Sequence, residues 1–486
     1  MNHADIRRRA FLERSALALG AAALPAGVFG QTLLLTVRPE WQAFKTTPRY
    51  DSLLKAIRLM KANTNAKDAK SWAYWTNAHV NYCPHEVPYF LAWHRGYLYY
   101  FERALRTVSG DLQLVLPYWD YYTNAQLPAE FTNPNNNNPL YVERVNTNVQ
   151  QALSMAPFSG TVLNFQRGQE QAFEPTFEDA PHNPVHNIIG NAMADMISPN
   201  DPIFWLHHAN VDRLWVAWVA AGAGRKMPAK NTTYWSGKHV YASGLSINRS
   251  QTYDTRTNLG YRYQKETMPT ALPLAQASGG RQDARLFRVQ ATMDSMPGAM
   301  PSTGSFQLSL PRQTSDATFA LGGAMNVGLS ERSVSVQLPV STEHSQVLAA
   351  IAKGKQASIA GRAQIYRSAH LVLDGIEMSE EGRKGGYFYK VYLNVPSDNR
   401  SSGNANAVYL GTFGPFEIHA AAHHGGGHGG LQLRYKIKRA FAGATAKQLG
   451  MMSVSFVRVS GDSTPKGGVI GIGEVRLEAA TDADGS

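Results

Sequence analysis

The sequence predicts two structured parts in series: a mainly α domain built as a four-helix bundle, then an all-β domain of the sandwich or barrel kind. Three observations carry that expectation. Apolar and histidine positions recur at helical spacing between about residues 40 and 263; the pattern dissolves into Thr, Ser, Pro, Met and Gly from about 265 to 330; beyond it, apolar residues alternate with period two in spaced segments. A chain of 486 residues is long enough for two cores of ordinary size. The expected division is 1–30, 31–264, 265–330 as linker or irregular wrapping, and 331–486.

Residues 1–30 read as an export signal. Arg7, Arg8 and Arg9 precede Phe11-Leu12, and the apolar run ALALGAAALPAGVFG is too short to span a bilayer. A basic amphipathic helix is the other reading. The order Arg-Arg-Ala-Phe-Leu resembles a twin-arginine signal, which implies the twin-arginine export machinery as a partner, a periplasmic or secreted location, and metal loading before export. Small residues place cleavage between about Ala26 and Gly30. No other segment reaches transmembrane length, so an integral membrane protein is not expected. The net charge of +11 has no Lys/Arg block behind it after the first fourteen residues and no nucleic-acid motif beside it, so a nucleic-acid partner is not expected.

Three helices can be placed. After Pro88, which is expected in a first turn, His94, Tyr97, Leu98, Phe101 and Leu105 share one face. Asp201-Pro202 announces a second helix as N-cap and first position, with an inward stripe of Phe204, His208, Val211, Trp215 and Trp218. His182 and His186 stack on a third, which must begin near His182 because Pro184 follows. Beyond 330 the alternating segments are 333–338, 369–378, 387–395, 431–438, 454–459 and 473–480, broken by Gly-rich and Ser/Asn-rich turns.

The chemistry lies in two clusters of histidine. His79, His85 and His94 fall inside HVNYCPHEVPYFLAWHRGYLYYFE; His182, His186 and His208 fall inside EDAPHNPVHNIIG and NDPIFWLHHANVDRLW. Two sets of three neutral imidazoles without carboxylate or thiolate suit a pair of copper ions better than structural zinc, which favours cysteine, or magnesium, which wants oxygen. HNPVH alone is weak evidence, since helices place residues at i and i+4 by default, and it lacks the glutamate of a zinc protease. With one cysteine no internal disulfide forms; Cys83 is either a small buried hydrophobe or has work at the metal.

The segments YCPHEVPYFLAWHRGYLYYFE and NDPIFWLHHANVDRLW resemble the two copper-binding signatures of the tyrosinase and polyphenol oxidase family. That resemblance implies copper ligation by His79, His85 and His94 and, separately, by His182, His186 and His208, with His207 a non-ligand. LPYWDY (116–121) and the Tyr-x-Tyr of LGYRYQ (259–264) are also similar to family segments, and Arg38 resembles the arginine that contacts the latter. Ala92 departs from the family's usual proline. The resemblance further implies a thioether link between Cys83 and His85, two copper ions with O2 as co-substrate, and small phenols as substrates. It implies ortho-hydroxylation of monophenols and oxidation of o-diphenols to o-quinones, with melanin formation one outcome; a catechol oxidase acting on o-diphenols alone and a haemocyanin-like oxygen carrier are the alternatives. A laccase needs a His-Cys-His setting, and Cys83 sits in Cys-Pro-His.

Hydroxylation requires a base, and the resemblance offers Glu178 to hold a water and Asn183 to assist phenol deprotonation. Otherwise Glu178 is a helix-end charge and Asn183 a neutral choice. Asp212 is either an orienting partner or an exposed charge; Arg95 and Glu102 are structural. The strand segment LVLDGIEM is similar to the β-domain of plant-type polyphenol oxidases, which implies that this part covers the mouth of the site with a plugging side chain. No particular side chain stands out in the sequence. The run HAAAHHGGGHGG (419–430) is either a flexible His-rich loop or a weak copper-binding tract.

Overall fold

A computed structural model of the protein describes residues 35–274 apart from 136, 308–396, 406–424, 431–437, and 441–482 apart from 442. The export signal expected at 1–30 lies outside the described residues.

Five helices frame the first part: α1 (Arg49–Ala62), α2 (Trp72–Tyr82), α3 (Phe90–Ser109), α4 (Asn183–Ile189) and α5 (Ile203–Ala220). Ser71 starts α2 by accepting the Tyr74 N–H at 3.1 Å, an N-cap of the ordinary kind. Helix α3 starts later than the proline suggested. Tyr89 has φ 79°, outside the right-handed helical region, so Pro88 sits in the preceding turn and Phe90 is the first helical residue. The α5 signal holds: Asp201 Oδ1 accepts the Ile203 N–H at 2.9 Å and Pro202 has helical backbone angles. Its stripe is buried, and so is every other residue from Ile203 to Trp215, which makes α5 the central helix of the bundle. Helix α4 begins directly after His182, with Pro184 in its first turn, where a missing N–H is harmless.

Four short strands tie the ends of this part together. β1 (Thr36–Arg38) precedes the helices; β2 (Lys238–Ala242) and β3 (Leu245–Asn248) form a hairpin; β4 (Tyr261–Tyr263) pairs in parallel with β1. The Arg38 guanidinium lies 3.7 Å over the Tyr261 ring and donates to the Tyr263 hydroxyl at 3.1 Å and to Glu102 at 2.8 Å. Both tyrosine hydroxyls donate to one oxygen of Asp212 at 2.6 Å, and Arg95 donates to the other at 2.6 Å. Asp212 is therefore a buried junction, not an exposed helix charge, and its partners are structural residues.

The second part is a sandwich. Its strands are β5 (Leu308–Ser309), β6 (Arg312–Gln313), β7 (Thr318–Leu329), β8 (Val334–Gln337), β9 (Ser368–Met378), β10 (Tyr387–Val395), β11 (Asn406–Phe413), β12 (Gln432–Lys436), β13 (Ser453–Ser460) and β14 (Ile470–Ala480). One sheet runs β12-β9-β14-β7-β5 with β6 also on β7; the other runs β11-β10-β13-β8. Leu371, Leu373, Val475 and Leu477 of the first share a core with Val391, Leu393, Val454 and Phe456 of the second, the alternation expected of two facing sheets.

All six alternating segments became strands, but the stretch read as irregular up to 330 did not stay so. β5, β6 and the twelve-residue β7 lie within it, and only 275–307 falls outside the described residues. Glycine hides β7: in TFALGGAMNVGL an added Cβ at Gly323 would lie 2.2 Å from the Val475 carbonyl oxygen on the neighbouring strand, so close backbone approach replaces the apolar alternation. Of the two helices in this part, α6 (Thr342–Ala352) had no expectation attached, while α7 (Pro415–His424) takes in the first residues of the run 419–430, which are helical where a flexible loop was one of the two readings.

Candidate metal centre

His79 projects from α2, His94 from α3, His186 from α4 and His208 from α5; His182 sits immediately before α4 and His85 in the loop between α2 and α3. All six are buried, none more than 3% exposed. Candidate ligand atoms of His79, Cys83, His85 and His94 lie within 4.8 Å of one another, as do those of His182, His186, His207 and His208. The two groups face each other, with the rings of His94 and His208 stacked at 4.2 Å. Both expected triads are thus assembled, and each is accompanied by one further side chain.

Four of the six imidazoles are oriented alike. Nδ1 of His79 meets the Met196 carbonyl at 2.7 Å, that of His94 the Phe90 carbonyl at 2.9 Å, that of His186 the Met193 carbonyl at 2.8 Å, and that of His182 the Asn183 side-chain oxygen at 2.8 Å. A carbonyl oxygen only accepts, so Nδ1 carries the proton and Nε2 keeps its lone pair. Burial then holds the rings neutral: it drives His94, His182 and His208 well below the usual imidazole range and His186 down to about 3, with neighbouring imidazoles adding to the shift at His94, His182 and His208.

These donors fit a cation. Nε2 of His182 and of His186 each stand 3.3 Å from Nε2 of His208. One proton on His208 cannot serve both lone pairs, whereas a positive ion among the three nitrogens satisfies all of them. His207 is different: it stacks on His182 at 5.3 Å, and neither of its ring nitrogens has a hydrogen-bond partner. In the first group Cys83 Sγ lies 3.6 Å from His85 Nε2 and 3.3 Å from His94 Nε2. Burial pushes its thiol up, and the nearby Glu178 charge pushes the same way.

Glu178 is buried at 1% exposure. One oxygen accepts the Glu86 N–H at 2.7 Å and the other pairs with Arg167. Burial raises its carboxyl, and Arg167 pulls it back. Asn183 orients His182 through its side-chain oxygen.

One residue at the centre had no sequence signal. Phe416, at the start of α7, lays its ring on His186 at 4.1 Å and 19°, and stands 5.1 Å from His85 and 5.7 Å from His182. Its N–H donates to the Asn187 side-chain oxygen at 2.8 Å, and the amide nitrogen of Asn187 donates to Glu417 at 2.7 Å. Asp179 holds the same segment by accepting from the Tyr409 hydroxyl and the Thr412 N–H, both at 2.6 Å. The residues next to the metal-facing histidines thus grip the second part of the chain. Elsewhere a cleft of about 430 Å³, lined by Glu40, Tyr118, Asp120, Gln126 and Gln264 among others, includes none of the histidines.

A helical bundle with two facing histidine groups, each of which could hold a metal ion, defines the class. The family model described as the common central domain of tyrosinase matches residues 56–148 and 127–221. A tyrosinase of Hahella is 37% identical over 190 residues, 31% of this chain and 40% of that protein. A Streptomyces glaucescens tyrosinase is 32% identical over 190 residues, 30% of this chain and 69% of that one. A chloroplastic polyphenol oxidase of Malus domestica is 28% identical over 300 residues, 48% and 49% of the two chains. Among solved structures, a latent apple tyrosinase aligns over 94% of this chain and 98% of its own, with 20% identity and a TM-score of 0.49. The chain belongs to the tyrosinase family, and it spans less than half the length of the Hahella and Malus relatives.

Proposed function

We propose that this protein is a copper-dependent phenol oxidase of the tyrosinase kind, held latent by Phe416. The observation that carries the reading is the convergence of neutral, pre-oriented Nε2 atoms in two facing groups. His79, His85 and His94 would hold one copper ion and His182, His186 and His208 the other, with His207 packed behind the second. Imidazole is a ligand set that copper accepts readily. Bound copper would supply the redox chemistry between O2 and a phenolic substrate.

The remaining work falls to the chain. Carbonyl oxygens and Asn183 hold His79, His94, His182 and His186 in one tautomer, so none of these rings has to turn when a ligand binds. The surrounding aromatic residues exclude water. A phenol ring would take the place that the Phe416 ring occupies on His186, and Glu178 is the buried carboxylate that would take its proton. Ortho-hydroxylation of monophenols followed by oxidation to o-quinones is the full activity proposed.

One observation favours oxidation of o-diphenols alone. Both Glu178 oxygens and the Asn183 oxygen are already engaged, which leaves the base less free to accept a proton. Initial rates on tyrosine and on its o-diphenol counterpart, with copper-loaded wild type and Phe416→Ala, separate the readings. Turnover of both substrates supports the tyrosinase; turnover of the diphenol alone in both preparations makes it a catechol oxidase. No turnover of either by a protein holding two copper ions would leave the oxygen carrier.

Two further assignments belong to the same reading. The position of Cys83 beside His85 supports the thioether, which peptide mapping would reveal as the loss of two hydrogens. The sequence of residues 1–30 supports twin-arginine export; no helix among the described residues is long and apolar enough to cross a membrane.

A further inference from the structure

The His-rich run 419–430 falls partly on α7. His419 and His423 are described there, while the side chain of His424 and residues 425–430 lie outside the described residues. Nδ1 of His419 meets the Ala194 carbonyl oxygen at 2.8 Å, with an Asp195 carboxylate oxygen 3.6 Å away. By the argument used for the centre, that nitrogen carries the proton and Nε2 keeps the lone pair. His79, His94 and His186 are set by the same kind of bond. A carbonyl or carboxylate on the far nitrogen is the usual partner of a metal-binding imidazole and raises its basicity. His419 is partly exposed, with 16% of its side chain accessible. His423 follows one helical turn later at i+4, on the same face and exposed.

We propose that His419 and His423 form a binding site for one divalent cation of the zinc or copper(II) class, distinct from the two histidine groups of the centre. Two imidazoles completed by water suit these ions, whereas calcium and magnesium demand oxygen. Phe416 lies on the same helix, about 5 Å before His419 along the axis. A cation on Nε2 withdraws electrons from the ring and strengthens the Nδ1–H donor to Ala194. It therefore fastens α7 to the loop that follows His186 and holds the phenylalanine in place.

The test titrates zinc into the copper-loaded full chain by equilibrium dialysis. We expect one zinc equivalent beyond the two coppers, lost in His423→Ala and in His419→Ala, and unchanged in His424→Ala and His428→Ala. His423 is exposed, so its variant tests the site without disturbing the core. Absence of the additional equivalent overturns the proposal. So does its survival in His423→Ala, or its loss in His428→Ala, which would assign the metal to the glycine-rich run instead. Bound zinc is also expected to lower phenol turnover in wild type and not in His423→Ala. That second readout rests on the proposed function; the zinc count does not, so failure of the enzyme reading and failure of the site are separately visible.

Discussion

Asp212 holds Arg95 on one oxygen and two tyrosine hydroxyls on the other, all away from solvent. Removing one member of a buried pair leaves an uncompensated charge and destabilises by about 3–5 kcal/mol. We expect Asp212→Ala to lower the unfolding free energy by that amount in urea melts. Glu381→Ala, which removes an exposed partner of Lys384, should leave it nearly unchanged, because a solvated surface pair is screened. For Phe416→Ala, turnover of an o-diphenol by the full chain should rise while the centre still binds two coppers; an unchanged rate at full copper content would dismiss the plug. The two kinds of residue differ in how they could be read. The six histidines sit in short segments whose spacing is itself the chemistry, so they were legible. Phe416 reaches the centre through bonds between Asn187 and its own neighbourhood, 230 residues apart, and nothing local in Gly-Pro-Phe announces that contact.

The same contact can be tested through the element that makes it. An added Cβ at Gly414 would lie 2.7 Å from the Asn187 side chain, so the turn between β11 and α7 tolerates no larger residue while docked. Gly414→Val should loosen α7 and raise turnover as Phe416→Ala does, with faster backbone amide exchange at 415–420 as the direct reading. Helices were legible where proline and capping residues bracketed a periodic stripe, as at α4 and α5. The start of α3 was displaced because a positive φ at Tyr89 is a tertiary choice. Strands β9, β10 and β14 were legible from alternation, whereas β7 was not: its glycines meet backbone, not core, and leave no period in the sequence.

At the scale of the whole molecule, two metal ions bound by the native state alone should stabilise it by linkage. Each contributes about 2.7 kcal/mol when free metal is a hundredfold above its dissociation constant, so chelation should lower the melting temperature, and readdition of copper should restore it. Acid acts elsewhere. Burial pushes the Glu474 carboxyl up, but hydrogen bonds from Arg312, Ser309 and Arg476 outweigh it and bring the group from 4.5 down to about 2. A lowered folded-state pKa means stability that is complete above the unfolded value of 4.5 and is lost as pH falls toward 2. The sandwich should therefore weaken between those limits in acid titrations, and Glu474→Gln should flatten that limb. The division into a helical and a β part was legible because the hydrophobic period changes from helical to twofold. Its boundary was not, since the grip of Asp179 and Asn187 on the second part is written in single polar residues.

That grip also orders events in time. Residues up to Tyr263 leave the ribosome before any strand of the sandwich, and domains generally fold in the order they emerge. At about 5–20 residues per second, the stretch from Tyr263 to Phe416 takes roughly 8–30 s to synthesise. Throughout that interval the histidines face the cytosol uncovered, and a nascent chain can take up its ions before its own C-terminal half arrives to close the door.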